Sequence, residues 1–427
     1  MAVGSARPRG GARLGPRDRA RGAAEDLRPV LHDEAAGRGE WTRAVGLLRD
    51  RHRARGPAQR PQPRRRRRVL HRRAAARGAR RLTFRIASTL LLCVLLGPGC
   101  AQVGGPVPGA PAHHREGGFG NVNPSAEPAG GWTRFTFFVS RVWAATFTPR
   151  TASLPAVGSD LAAIRAGQGA ATVTWVGHST LLVQLDGVNL LTDPQWSQRA
   201  SPVSFAGPRR VSPPGLKLED LPRIHAVVIS HDHYDHLDEA TVKRLVAAHR
   251  PRFIVPLGLK AWFADLGITE VDELDWWGAV TLKGLTFTCV PAQHFSGRTP
   301  WDRNRRLWSG WVVAGRDKRL YFAGDTGYFD GFKGIGARLG PFDLAAIPIG
   351  AYVPQVIMKA SHTTPEEALR AFADVRGERF VPIHWGTFDL AEEPLEEPPQ
   401  RLIAEARRLQ LDLSRIWVLK HGETRRW

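Results

Sequence analysis

The sequence has almost no cysteine. Three are present in 427 residues, Cys93, Cys100 and Cys289. Cys93 lies inside an apolar run, so no disulfide framework is available. Apolar runs long enough to span a bilayer are missing as well. The Leu-rich stretch 86–96 is uncharged, but it is shorter than the roughly 20 residues a membrane-spanning helix needs. Acidic residues are scarce at the start: positions 1–85 hold 25 Arg against 7 acids, so +18 of the net +21 sits there. The pI of about 11.1 therefore describes a tail, and the remainder is close to neutral. That remainder is rich in Trp, Phe, Leu and Val and can bury a large core.

Residues 1–81 are Arg-, Ala-, Gly- and Pro-rich, with five consecutive arginines at 64–68. Such a composition cannot bury enough surface to offset chain entropy, which predicts disorder. It reads as a nucleic-acid arm, a solvated basic tail, or an upstream stretch that is not translated. The segment that begins at residue 80 favours the last. Residues 80–85 form a positive segment, 86–96 an apolar core, and Gly97-Pro98-Gly99-Cys100 a run of small residues ending in cysteine. Together 82–100 reads as a secretory signal. Its end resembles a bacterial lipoprotein cleavage box, with Gly97 where such boxes carry Leu. A signal belongs at a chain start, so translation is expected to begin near Val69 or Leu70. The expected location is the bacterial cell envelope, exported and anchored through Cys100, or the cytoplasm if the signal is not used.

Residues 101–150 read as a linker and lead-in; 101–125 is rich in Gly, Pro and Ala. Phe135 to Phe138 and Trp143 form an uncharged aromatic cluster, either packed on the body or offered to a membrane. The body spans 151–427. Its strands are expected at 172–175, 180–185, 188–192, 226–230, 253–255, 271–274, 279–282, 287–291, 311–314, 320–323, 344–349 and 380–383. Asp186-Gly187 is a hairpin turn. Helices are expected after the cap Asp238, at 259–266, at 365–375 and near the end, after an acidic loop at 392–399. Strand groups mixed with helices predict two facing sheets with helices outside.

After the strand at 226–230 comes His231-Asp232-His233-Tyr234-Asp235-His236. Three imidazoles and two carboxylates in so short a span make poor core and good metal ligands. His231 and His233 can turn toward one ion, Asp235 and His236 toward a second. His294, Asp325 and His384 each come just after a strand downstream, where a rigid element holds a side chain facing a cleft. Alone, each is an ordinary structural residue; together they complete seven donors. His225 and His249 stand apart and read as structural. Cys289 alternates within a strand and reads as buried, and Trp276 and Trp277 read as core or cleft wall.

The order His-x-His-x-Asp-His, then His, Asp and His, resembles the ligand pattern of the metallo-β-lactamase superfamily. Its fold is an α/β four-layer αββα sandwich. Longer runs narrow the likeness: Trp175-Val176-Gly177-His178-Ser179-Thr180, Leu191-Thr192-Asp193-Pro194, Leu274-Asp275-Trp276-Trp277, Phe322-Ala323-Gly324-Asp325-Thr326-Gly327-Tyr328 and Ile383-His384-Trp385-Gly386-Thr387-Phe388. They resemble the N-acylphosphatidylethanolamine-hydrolysing phospholipase D branch, from about Trp175 to Gly422 and more weakly back to about Gly118. The resemblance implies two zinc ions: one on His231, His233 and His294, the other on Asp235, His236 and His384, with Asp325 bridging. It implies Asp235, Asp325 and His362 as the catalytic side chains, His362 matching a histidine near the substrate phosphate. Val203-Ser204-Phe205-Ala206 stands where the animal enzymes carry a Gln-Tyr pair, and Ser361 where they carry Gln.

Two such ions lower the pKa of water to near neutral, so a shared hydroxide is the expected nucleophile on a phosphodiester. His178 reads equally as a hydrogen-bonding partner of a ligand or as a structural residue. The expected function is a zinc-dependent phosphodiesterase acting on phospholipid at a membrane surface. A lactonase or ester hydrolase, a nuclease and a non-enzymatic metal-binding surface lipoprotein are the alternatives. A nucleic-acid partner is not expected if the Arg block is untranslated, and the oligomeric state is not legible.

Overall fold

The structure is a computed structural model that describes residues 103–122 and 129–427. The Arg-rich stretch, the signal-like segment and Cys100 lie outside the described residues. The chain opens with a short hairpin, β1 (His114–Arg115) and β2 (Gly118–Phe119), then helices α1 (Gly131–Phe147) and α2 (Leu161–Ala166). Strands β3 (Thr172–Gly177), β4 (Thr180–Leu185) and β5 (Val188–Thr192) come after them. Next are β6 (Ala226–Val228), α3 (Glu239–His249), β7 (Arg252–Pro256), α4 (Lys260–Asp265) and β8 (Val271–Leu274). The second half holds β9 (Ala279–Leu282), β10 (Leu285–Val290), β11 (Gly310–Ala314), β12 (Arg319–Phe322), α5 (Gly331–Leu339) and β13 (Phe342–Pro348). It ends with α6 (Gln355–Met358), α7 (Pro365–Asp374), β14 (Gly377–Ile383), α8 (Glu397–Arg408) and β15 (Thr424–Arg426).

Two sheets form, in the orders β15-β3-β4-β5-β6-β7-β8 and β14-β13-β12-β11-β10-β9. Each is part antiparallel and part parallel: β5 to β8 run parallel in the first, β12 to β14 in the second. The β4–β5 hairpin closes on Asp186 and Gly187, both at positive φ, as its tight turn requires. Successive residues of the first sheet enter different cores. Leu181, Val183, Leu190, Val228 and Ile254 meet Phe287, Cys289, Trp311 and Val313 of the second sheet. Leu182, Leu191, Val227 and Phe253 pack with Ile164 of α2, Val242 and Leu245 of α3 and Phe263 of α4. On the far side α7 lies on β13 and β14, flanked by α5 and α8. The layers run α, β, β, α, as the resemblance implied.

The helices start where their caps dictate. Asp238 accepts from Ala240 N ahead of α3, and Thr364 and Glu367 form a capping box at α7 with Pro365 in the first turn. At one end the sheets are tied together. Trp311 Nε1 donates to Ile229 O (2.9 Å), Ser309 N to Ser230 O (2.9 Å) and His384 N to His178 O (3.1 Å).

Two findings depart from the sequence reading. Residues 103–122, expected as linker, lie as a strap on the body, with Phe119 buried. The aromatic cluster proves to be part of α1, which exposes Trp132, Phe138, Trp143 and Phe147 and buries only Ala145 fully.

Candidate metal centre

The tied end of the sandwich collects every donor named from the sequence. His231, His233, Asp235 and His236 come after β6, His294 after β10, Asp325 after β12, and His384 after β14. His231 Nε2 lies 2.8 Å from His233 Nδ1, and His294 Nε2 lies 3.3 Å from the same atom. These three ring nitrogens form one donor group; Asp235, His236 and His384, joined by His178, form another. Asp325 stands between them. Its Oδ2 is 2.9 Å from His384 Nε2, 3.2 Å from His236 Nε2 and 3.8 Å from His294 Nε2. His362 Nδ1 is 3.9 Å from that oxygen. Asp232, the spacer in the motif, turns away to Arg306 (2.9 Å) and accepts from Gly297 N.

Backbone geometry aims these side chains. Asp325 comes after Gly324, at φ +60, where a Cβ would sit 2.5 Å from Ser230 Cβ, so only glycine lets the loop approach β6. His384 itself adopts φ +58, a conformation costly for a side-chain-bearing residue and held by its bond to His178 O.

A ring of partners fixes the imidazoles. His236 Nδ1 donates to Asp193 Oδ2 (2.7 Å), and Ser230 donates to the same carboxylate through N (2.7 Å) and Oγ (2.5 Å). With its proton spent on Asp193, Ser230 Oγ accepts from His231 Nδ1 (2.9 Å). His294 Nδ1 donates to Ser361 O (2.9 Å). Each of these rings therefore turns Nε2 to the centre, His231 and His294 with its lone pair free. His178 Nε2 donates to Asp235 Oδ2 (2.9 Å), the partner role that the sequence left open. Asp193 was visible only as part of a motif, and Ser230 gave no signal. His225 and His249 accept from Asn189 N and Ile224 N and stay outside the set.

The electrostatics are those of a site built around positive charge. Burial alone would raise the Asp325 carboxyl, but His236 and His384 outweigh it and hold it well below the usual range. Asp235 is held down in the same way, burial being overcome by His236 and His178. Burial works against charge on His236 too, yet Asp325, Asp235 and Asp193 raise it well above an ordinary histidine. His384, also buried, is lifted to about 9, by Asp325 first. Burial lowers His231 and His294 well below an ordinary histidine, against the pull of Asp325, with neighbouring imidazoles adding to it. Burial lowers His362 to about 4, against the pull of Asp325.

These residues fit divalent cations. His236 Nε2, His384 Nε2 and Asp325 Oδ1 are buried and make no hydrogen bond of acceptable geometry. Protons on His236 and His384 supply the positive charge that the carboxylates demand; a cation held by the same groups would take their place.

A family model described as "Beta-lactamase superfamily domain" matches residues 188–385. The chain is 47% identical over 265 residues to an N-acyl-phosphatidylethanolamine-hydrolyzing phospholipase D of Caenorhabditis elegans, covering 57% of this chain and 74% of that protein. It is 44% identical over 308 residues to an uncharacterized protein of Mycobacterium tuberculosis, covering 69% and 79%. A solved metallo hydrolase of Ignicoccus hospitalis is 25% identical, with 60% and 98% covered and a TM-score of 0.46. With the αββα layers and the donor clusters at the strand ends, the family-model match and the 47% identity to the Caenorhabditis elegans protein place the chain in the metallo-β-lactamase superfamily, in its N-acylphosphatidylethanolamine-hydrolysing phospholipase D-like branch.

Proposed function

We propose that this metal-dependent hydrolase is a phospholipase D-type phosphodiesterase that takes two zinc ions and cleaves N-acylphosphatidylethanolamine-like phospholipids. One observation carries the reading: six donors in two groups, with Asp325 within 3.8 Å of members of both, converge in a chain 47% identical to such a phospholipase. His231, His233 and His294 would hold one cation, Asp235, His236 and His384 the other, with Asp325 common to both. When bound, a pair of divalent cations supplies Lewis acidity toward a phosphoryl oxygen and lowers the pKa of water to near neutral.

The chain's own residues do the rest. Asp325 sets the spacing of the two donor groups. Asp235, steadied by His178, orients the attacking water through its carboxylate. Water oxygen bonds to phosphorus and gives up a proton, the bond to the N-acylethanolamine oxygen breaks, and that oxygen takes a proton up. His362, buried beside Asp325 and His294 and kept neutral by burial, is placed to take the water's proton on a ring nitrogen and pass it to that oxygen.

A lipid surface as partner is supported by α1. Trp132, Val139, Trp143 and Phe147 fall on one exposed helical face, and residues 129–150 contain Arg134, Arg141 and Arg150 but no acid. Arg141 bonds Asp389, five residues beyond His384, and Thr146 Oγ1 accepts from Gly207 N (2.9 Å), next to exposed Phe205. The aromatic face is thereby fixed beside the mouth. Anchoring in the cell envelope through Cys100 belongs to the same proposal.

The test offers the zinc-loaded protein N-acyl phosphatidylethanolamine, plain phosphatidylethanolamine, bis-p-nitrophenyl phosphate and a panel of lactones. Chelator-sensitive release of N-acylethanolamine is expected. Lactone turnover without any diester turnover would replace the proposal with a lactonase.

A further inference from the structure

We infer that Asn121, carried on the N-terminal strap, is a positioning residue for His294. The inference rests on the metal-centre reading. Asn121 Nδ2 donates to His294 O (2.9 Å), and Asn121 Oδ1 accepts from His294 N (3.2 Å) and from Trp308 Nε1 (3.1 Å). One carboxamide thus binds both main-chain polar groups of one residue, 173 positions away.

His294 needs this. It lies past the end of β10 in a stretch without regular structure, where no neighbouring strand takes up its N–H and C=O. Asn121 supplies the donor and the acceptor that such a strand would offer. Fixing both peptide groups fixes the direction of the Cα–Cβ bond. The ring's remaining freedom is removed by its Nδ1 bond to Ser361 O. Main chain and ring are therefore held from opposite sides, which leaves Nε2 aimed at His231 and His233.

The strap is anchored firmly enough to act as a reference. Phe119 is in the core, and Phe119 N donates to Asn304 O (2.8 Å). A Cβ at Gly118 would fall on that carbonyl oxygen, so the close approach depends on glycine. His113 and His114 both donate through Nε2 to Asp275, at 2.6 and 2.8 Å, and His113 stacks on Trp276. Two anchors ahead of Asn121 hold it in place.

The test titrates the metal-free full chain with Co(II), following visible absorption against a competing chelator. Asn121→Ala should weaken one of two binding steps about 10- to 100-fold and alter its spectrum, with the other step unchanged. Asn121→Asp fills the same space and keeps the acceptor but cannot donate to His294 O; it should weaken the same step. Metal-free melting should stay near that of the parent protein. A folded variant that titrates like the parent overturns the inference. So does loss of the fold in both variants, which would make the strap structural only. A parent protein that takes up no cobalt overturns the metal-centre reading instead.

Discussion

Asp325 is the side chain on which the two donor groups depend. One carboxylate oxygen lies within 3.8 Å of His236, His294 and His384, so it cannot be lost without uncoupling both groups. Asp325→Asn should lower bound zinc by metal analysis and remove nearly all turnover of bis-p-nitrophenyl phosphate. His362 differs: it stands at the edge of the centre beside His294 and Asp325, its Nδ1 3.9 Å from the carboxylate, and the resemblance gives it no ligand role. His362→Ala should keep its zinc and lose rate by about 10²- to 10⁴-fold, the usual contribution of a proton-transfer group. An unchanged rate would remove His362 from the mechanism. Asp193 is the third case. It stands behind the ligands, orienting His236 directly and His231 through Ser230, so Asp193→Ala should cut zinc affinity about 10- to 100-fold in a chelator competition. The seven donors could be read from the sequence because ligation demands particular residue types at strand ends. Asp193, Ser230 and Asn121 could not, because their work is a hydrogen bond to a residue far away in the chain, and short polar side chains occur in every loop.

At the scale of elements, legibility tracked periodicity. Strands β8 and β9 lie where alternation and turn residues put them, and α3 begins at its cap Asp238. Helix α1 was not legible. Its Phe, Thr, Val and Trp are poor helix formers and good strand formers, so propensity points the wrong way. What identifies it is the spacing of Trp132, Val139, Trp143 and Phe147 on one face, a pattern that core helices turn inward and this one turns to solvent. If that face meets lipid, the double substitution Trp143→Ser and Phe147→Ser should reduce binding to phospholipid vesicles. Two aromatic side chains, each worth about 1.5–3 kcal/mol when fully buried, set an expected loss of at least about tenfold. Turnover of the soluble diester should not change, since neither residue approaches the donors. Equal vesicle binding by the parent and the double variant would detach α1 from the membrane.

For the whole molecule, the donors matter by where they come from. His231, His233, Asp235 and His236 leave the seven-stranded sheet, while His294, Asp325 and His384 leave the six-stranded one. Three hydrogen bonds already join the sheets at this end, but His236 Nε2, His384 Nε2 and Asp325 Oδ1 beside them make none. Cations bound there would cross-brace the sandwich at the point where it carries most buried charge. They would also remove the cost of keeping two carboxylates and two protonated imidazoles out of water. The unfolded chain scatters the seven side chains and offers no comparable site, so binding energy becomes folding energy. At a free zinc concentration a hundredfold above the dissociation constant, each site should add about 2.7 kcal/mol. Calorimetric melting should therefore shift upward by several degrees on zinc loading and fall back with chelator. Asp325→Asn should show much less of that shift, because it breaks the link between the two groups. A melting temperature indifferent to zinc would mean that the two sheets meet here without a metal between them, and the convergence of seven donors would then have no physical account.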